Sequence, residues 1–142
     1  MDKWAENNKD IDLFGQIGPG KIRPKNFAVT DFMEHQKFDE VFLNADLIVS
    51  HAGMGNILKA LENGKRIIIF PRKAELGEHR NDHQIGTTRM FVDKPLIYVA
   101  SEREKLHSLL DELVLEPIAH ERHELNYPAE LISTICDFID KR

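Results

Sequence analysis

The sequence predicts an α/β fold, three layers built around a mostly parallel sheet, and three observations carry that expectation. Five short strand-like runs alternate with helical patterns through most of the 142 residues, the order that parallel α/β units produce. Two of the runs, at residues 67–70 and 47–49, are continuously apolar rather than alternating, as strands covered by helices on both faces are. Between them LIVSHAGMGNILKALEN, residues 47–63, passes from a strand through a paired-glycine turn straight into a helix.

Taken in order, the chain opens with the helix-like MDKWAENN and continues through strand-like runs at residues 11–17 and 27–32. A helix over 34–45 follows, with Phe38, Val41, Phe42 and Ala45 on one face. The strands at 47–50 and 66–70 are expected at the centre of the sheet, and a fifth strand covers 96–100. Residues 102–115 place Leu106, Leu109, Leu110, Leu113 and Val114 on one helical face. A polar stretch at 120–126 leads to a last helix over 128–139, which begins on Pro128 and aligns Leu131, Ile132, Ile135, Cys136, Phe138 and Ile139. That stripe either packs across the domain or meets a partner. Trp4 and Phe14 read as core.

One feature conflicts with the pattern. A dinucleotide-type α/β unit begins with a buried strand, whereas this chain begins with a helix, so the first strand is missing from the pattern. In the strand order 3-2-1-4-5-6 that strand lies mid-sheet, here between the strands at 11–17 and 47–50. Either those two pair directly or the core is incomplete.

The length sets one domain, with residues 1–115 as its core and 116–142 as a polar connector and helix. A hydrophobic content of 42%, with 30% charged residues, is that of an ordinary soluble protein. A formal charge of -5 argues against general nucleic-acid binding, although Lys21, Arg23 and Lys25, or Arg72 and Lys73, form local clusters able to meet a phosphate. The single cysteine, Cys136, sits in an apolar helical pattern and reads as core, with no disulfide within the chain. No signal peptide is recognisable, and the longest apolar runs fall well short of the roughly 20 residues that cross a bilayer. The expected compartment is the cytoplasm.

The chemistry concentrates in two segments. At the turn, Gly53 and Gly55 let backbone approach a ligand, and the helix behind them directs unpaired N–H groups and a partial positive charge at it, which suits phosphate. Strand, glycine and helix meet in most α/β proteins, so a purely structural turn is the alternative. The second segment, PRKAELGEHRNDHQ at residues 71–84, is too rich in hydrogen-bonding side chains for a plain connector. Both leave the carboxyl ends of adjacent strands and so face one crevice, the place where open parallel sheets bind nucleotides.

Several residues there carry two readings. His51 is either a polar side chain ending a strand or a group near a donor phosphate, where a bound anion favours its charged form. His79 and His83 have the i, i+4 spacing of a zinc pair but lack H-E-x-x-H, so no metal is assigned. His120, His123, Glu121 and Glu124 read as a solvated face. Glu78 and Asp82 are more suited to hydrogen bonding than to acid and base roles, and Arg72 either screens a diphosphate or points to solvent.

Across SHAGMGNILKALENGKRIIIFPRKAELGEHRNDHQ the sequence resembles the C-terminal, donor-binding domain of glycosyltransferase family 28, in the GT-B superfamily, a Rossmann-like half. In particular it resembles small bacterial exopolysaccharide glycosyltransferases related to the donor-binding subunit of the two-part UDP-N-acetylglucosamine transferase. The likeness runs from about residue 1 to 115. It implies that His51, Ala52, Gly53, Met54, Gly55 and Asn56 cradle the diphosphate of a UDP-sugar, while Asn81, Asp82, His83 and Gln84 approach the sugar hydroxyls. Arg72, Glu78 and His79 are accessory candidates. Backbone donors stabilise the charge that develops on a departing diphosphate, so neither metal nor other cofactor is required. The sequence departs from the family twice. The first strand and its glycine-threonine turn are absent, and Lys59 stands where the peptidoglycan-making relative has a ribose-holding glutamate, leaving Lys59 to face a phosphate or solvent.

The resemblance therefore implies the donor-binding part of an inverting hexosyl or N-acetylhexosaminyl transferase in exopolysaccharide or cell-surface glycan synthesis. Its implied partner is a membrane-associated, acceptor-binding subunit that brings a lipid-linked acceptor and holds the chain at the inner face of the membrane. No catalytic residue is identified by the sequence. The rival reading is a nucleotide-sugar-binding or regulatory module that performs no transfer.

Overall fold

The computed structural model describes residues 1–20, 22–72, 88–92 and 94–116. The expectations for the polar stretch at 120–126, the helix at 128–139 and Cys136 lie outside the described residues. In chain order the elements are α1 (Asp2–Asn7), β1 (Phe14–Gln16), β2 (Ala28–Thr30), α2 (His35–Asn44), β3 (Leu47–His51), α3 (Met54–Glu62), β4 (Arg66–Phe70), β5 (Ile97–Val99) and α4 (Arg103–Leu115). Among the described residues all strand pairs are parallel, as the alternation of elements predicts.

The layers follow from the alternation of side chains along β4. Ile67 and Ile69 face a cluster that includes Phe42 of α2 and Ile57, Ala60 and Leu61 of α3. Ile68, on the opposite face, packs with Trp4 of α1 and Leu106, Leu109, Leu110 and Leu113 of α4. All three isoleucines are fully buried, which is why this run shows no polar alternation. The apolar stripes of residues 34–45 and 102–115 thus mark the faces that pack on the sheet.

Polar contacts fix the helices on these layers. Trp4 Nε1 donates to Asp111 Oδ1 at 2.7 Å, joining α1 to α4. The Asp2 carboxylate accepts the backbone N–H groups of Lys25 and Asn26 at 2.8 and 2.9 Å, joining α1 to the loop before β2. Lys65 Nζ donates to the Ala45 carbonyl at 3.1 Å, at the C-terminus of α2. Helix α3 ends on Gly64, whose φ of 61° lies in the left-handed region. Gly64 N–H reaches the Leu61 carbonyl and Lys65 N–H the Ala60 carbonyl, the paired bonds of a Schellman stop. The short polypeptide from Asn63 to Lys65 thereby turns α3 directly into β4.

The structure departs from the sequence reading in the sheet. Strands β3, β4 and β5 form one sheet in that order, while β1 and β2 form a second, two-stranded sheet. Of the two strands expected at the centre, β4 is central and β3 is at the edge of its sheet, half-buried except at Ile48. Among the described residues β1 and β3 do not pair, and a cavity of about 630 Å³ lies between residues 10–14 and β3. Of the two alternatives for these strands, direct pairing of β1 with β3 is not seen among the described residues. Phe14 is consequently no core residue, since it remains 45% exposed on that cavity. Trp4, at 5%, is core as expected.

Candidate functional site

The candidate site begins where β3 ends. His51 is its last residue, and Gly53 is the N-cap of α3 with backbone φ of -92° and ψ of 131°, an extended conformation open to any residue. Glycine is required there for space rather than for conformation. A Cβ on Gly53 would stand 2.5 Å from His51 Nε2, so the imidazole lies directly over the glycine. A Cβ on Gly55 would meet nothing within 4 Å. The first glycine thus makes room for a histidine, and the second keeps open the space in front of the helix.

The N-cap of α3 is a glycine, which has no side chain to cap the helix, and the first turn holds no acidic residue. The helix therefore presents backbone donors and the positive end of its dipole at the carboxyl end of the sheet, an arrangement suited to an anion. Asn56 Nδ2 donates to Ser50 Oγ at 2.8 Å, fastening the helix start to the end of β3. Ala52 is buried against α2 and α3, and Met54 packs on the same cluster. Both offer only backbone to a ligand. Residues 51–56 thus place one histidine side chain, an Asn56 tied to Ser50 and a row of main-chain groups at the turn.

Beside this turn lies a crevice of about 370 Å³, lined by Met1, Val49, Ser50, His51, Phe70, Pro71, Arg72 and Leu106. The carboxyl ends of β3 and β4 are paired from Leu47 with Arg66 through His51 with Phe70, so this register brings Ser50, His51, Pro71 and Arg72 together. The predicted convergence of the glycine turn and the start of the polar loop is seen in this part. Asn81, Asp82, His83, Gln84, Glu78 and His79 lie outside the described residues. Sequence reasoning missed Ser50 as an anchor, and Met1 and Leu106 as walls. Ser50 was visible within the motif, but its tie to Asn56 depends on the angle between β3 and α3, which spacing alone does not give.

Lys59 takes neither position that the sequence left open. Its ammonium forms an ion pair with Asp39 of α2 and lies 5.3 and 5.5 Å from the ring centres of Phe38 and Phe42. It is a clamp between α3 and α2. The Lys59 hydrogen bond holds the Asp39 carboxyl below its ordinary value. Arg23 is likewise engaged, in an exposed ion pair with Asp31. Among the described residues no group of three histidine, cysteine or acidic side chains is placed to hold a metal ion, and no helix is long and apolar enough to cross a membrane.

Comparison with known proteins agrees with this geometry. The chain is 31% identical over 70 residues to the UDP-N-acetylglucosamine transferase subunit ALG13 of Mus musculus, an alignment covering 46% of this chain and 6% of that protein. It is 32% identical over 73 residues to the subunit of the same name from Homo sapiens, covering 48% and 6%. The chain thus spans a small part of the length of these curated relatives. In three dimensions it is similar to the solved glycotransferase of kitacinnamycin, with a TM-score of 0.60, 24% identity, and coverage of 82% of this chain and 30% of that one. That likeness supports the α/β fold with parallel strands. The model of the glycosyltransferase family 28 C-terminal domain matches residues 2–133, nearly the whole sequence, and the chain belongs to that family.

Proposed function

We propose that this chain is the donor-binding part of a UDP-sugar-dependent, inverting glycosyltransferase. The observation that carries the proposal is the start of α3 on a glycine N-cap, with no acidic residue in its first turn, beside a crevice lined by His51 and Arg72. In this reading the N–H groups of residues 54–56 meet the diphosphate, with His51 and Arg72 as the nearby groups of matching chemistry. Their donors are fixed before reaction, so they stabilise the charge that grows on UDP as the glycosidic bond breaks more than the charge already present in the donor. Asn81, Asp82, His83 and Gln84 are proposed for the sugar hydroxyls, with Glu78 and His79 accessory, on the family resemblance. Hydrogen bonds of that kind discriminate sugars by leaving a mismatched hydroxyl or site group unpaired.

Inversion requires an acceptor hydroxyl to attack opposite the departing UDP, with a base at that hydroxyl. The proposal places acceptor and base on a separate membrane-associated subunit carrying a lipid-linked acceptor in exopolysaccharide or cell-surface glycan synthesis. Two relatives that carry the word subunit in their names support a divided enzyme. The chain would then lie at the cytoplasmic face of the membrane through that partner, as a single domain over residues 1–142.

Calorimetric titration with UDP and UDP-N-acetylglucosamine in metal-free buffer tests the donor site. Saturable binding is expected, and a folded chain that binds neither overturns the proposal. The second reading, a binding module without transfer, is favoured by the interrupted sheet. Binding without transfer after the acceptor subunit is added would select it.

A further inference from the structure

Asn63 and Gly64 are the only asparagine-glycine pair in the sequence, and both stand exposed where α3 ends. Among asparagine dipeptides this is the one that deamidates most readily. The backbone nitrogen of a following glycine, with no side chain to hinder it, can attack the asparagine carboxamide carbon and close a five-membered succinimide. The fold opposes that attack in three ways. The Asn63 ψ of 12° turns the Gly64 nitrogen well away from Asn63 Cβ, whereas the ring needs those two atoms nearly eclipsed about the Cα–C bond. The Gly64 N–H, which must lose its proton to attack, donates to the Leu61 carbonyl at 3.0 Å. The carboxamide is held as well, since Asn63 Nδ2 donates to the Lys59 carbonyl at 2.8 Å.

From this geometry we infer that Asn63 is a site of spontaneous deamidation, held closed by the Schellman stop of α3 and opened when that stop frays. The bonds from Gly64 and Lys65 to Leu61 and Ala60 lie at an exposed helix end, where local opening is easiest. Once Asn63 has rotated, the deprotonated Gly64 nitrogen bonds to Asn63 Cγ. The Cγ–Nδ2 bond breaks, and ammonia leaves with the proton. Water then adds to one of the two succinimide carbonyls and opens the ring, giving aspartate by one C–N cleavage and isoaspartate by the other. Isoaspartate routes the main chain through the former side chain, which adds one methylene between α3 and β4 and takes the paired bonds out of register. Either product places a carboxylate at the negative end of the helix dipole. The modification therefore loosens α3, whose other end forms the candidate anion site.

The inference is independent of the donor-site reading and stands whether or not UDP binds. Its test incubates the full chain in mildly alkaline buffer, folded or unfolded in guanidinium, and follows the tryptic peptide of residues 60–65 by mass spectrometry. A gain of about one mass unit is expected in both states, at least about tenfold faster in the unfolded chain, with isoaspartate detected by isoaspartyl methyltransferase labelling. Asn63→Gln, which would have to close a six-membered ring, should lose the signal. The modified chain and Asn63→Asp should both melt a few degrees below the parent, while circular dichroism shows the parent's fold at low temperature. Equal rates in the folded and unfolded chain, or a peptide left unchanged after unfolding, would each overturn the inference. So would a modified chain that melts with the parent.

Discussion

At the scale of single residues the two glycines of the turn have separable roles. Gly53→Ala drives a methyl group into the His51 ring, 2.5 Å away, and must displace the imidazole. Gly55→Ala meets no protein atom and replaces a helical glycine by the best helix former, so stability should rise by up to about 1 kcal/mol. The same methyl enters the space proposed for the diphosphate, so UDP affinity should fall at least about tenfold. Thermal melting and calorimetry on this one variant separate the two effects; unchanged affinity would place the ligand elsewhere. Lys59 supplies the contrast. Lys59→Met removes the ion pair with Asp39 and the contacts with Phe38 and Phe42, a loss of about 1 kcal/mol. UDP affinity should be unaltered, because the ammonium faces α2.

At the scale of elements, helix α3 owes its end to one residue and its place to a neighbouring strand. Gly64→Ala puts a Cβ at a φ of 61° and should cost about 1 kcal/mol, read as a lower denaturant midpoint with unchanged slope. Ile68 of β4 bridges toward α1 and α4 with no exposed surface. Ile68→Ala should cost about 2–5 kcal/mol, the range for a buried isoleucine whose site cannot collapse fully. These elements were legible in the sequence because their causes are local. The helix at residues 34–45 appears as α2, that at 102–115 as α4, and the strand at 66–70 has the same bounds as β4. Strands β1, β2 and β5 are each three residues long, shorter than the apolar runs that announce them. A run shows which residues can extend, whereas the ladder is only as long as the partner beside it.

At the scale of the whole molecule, acid should weaken the contacts that tie separate segments together. Asp2 is held below its ordinary value of 3.8, first by the Asn26 N–H, and Asp39 below the same value, first by the Lys59 hydrogen bond. A carboxyl with a lowered folded-state pKa contributes fully above its unfolded value and loses that contribution as pH falls through the folded one. The denaturant midpoint should therefore be level above about pH 5 and decline below about pH 4, as protonation of the carboxyls proceeds. Both groups are partly exposed, so the decline they cause is shallow, and Asp39→Asn should flatten part of it. A midpoint unchanged by that variant between pH 5 and pH 3 would remove Asp39 from the account.

The sequence by itself determined the α/β alternation, the parallel direction of the strands, the buried character of Ile67, Ile68 and Ile69 and the glycine turn between β3 and α3. Each follows from periodicity or from the chemistry of neighbours within a few residues. It left open whether the strands at residues 11–17 and 47–50 pair directly. Only the tertiary structure decided that β1 and β3 stand apart with a cavity between them, that Phe14 borders it, that His51 needs Gly53 for room, and that Lys59 turns to α2. Those facts depend on which surfaces meet after the chain folds back, and residues distant in sequence meet according to packing and ladder register, which local pattern does not encode.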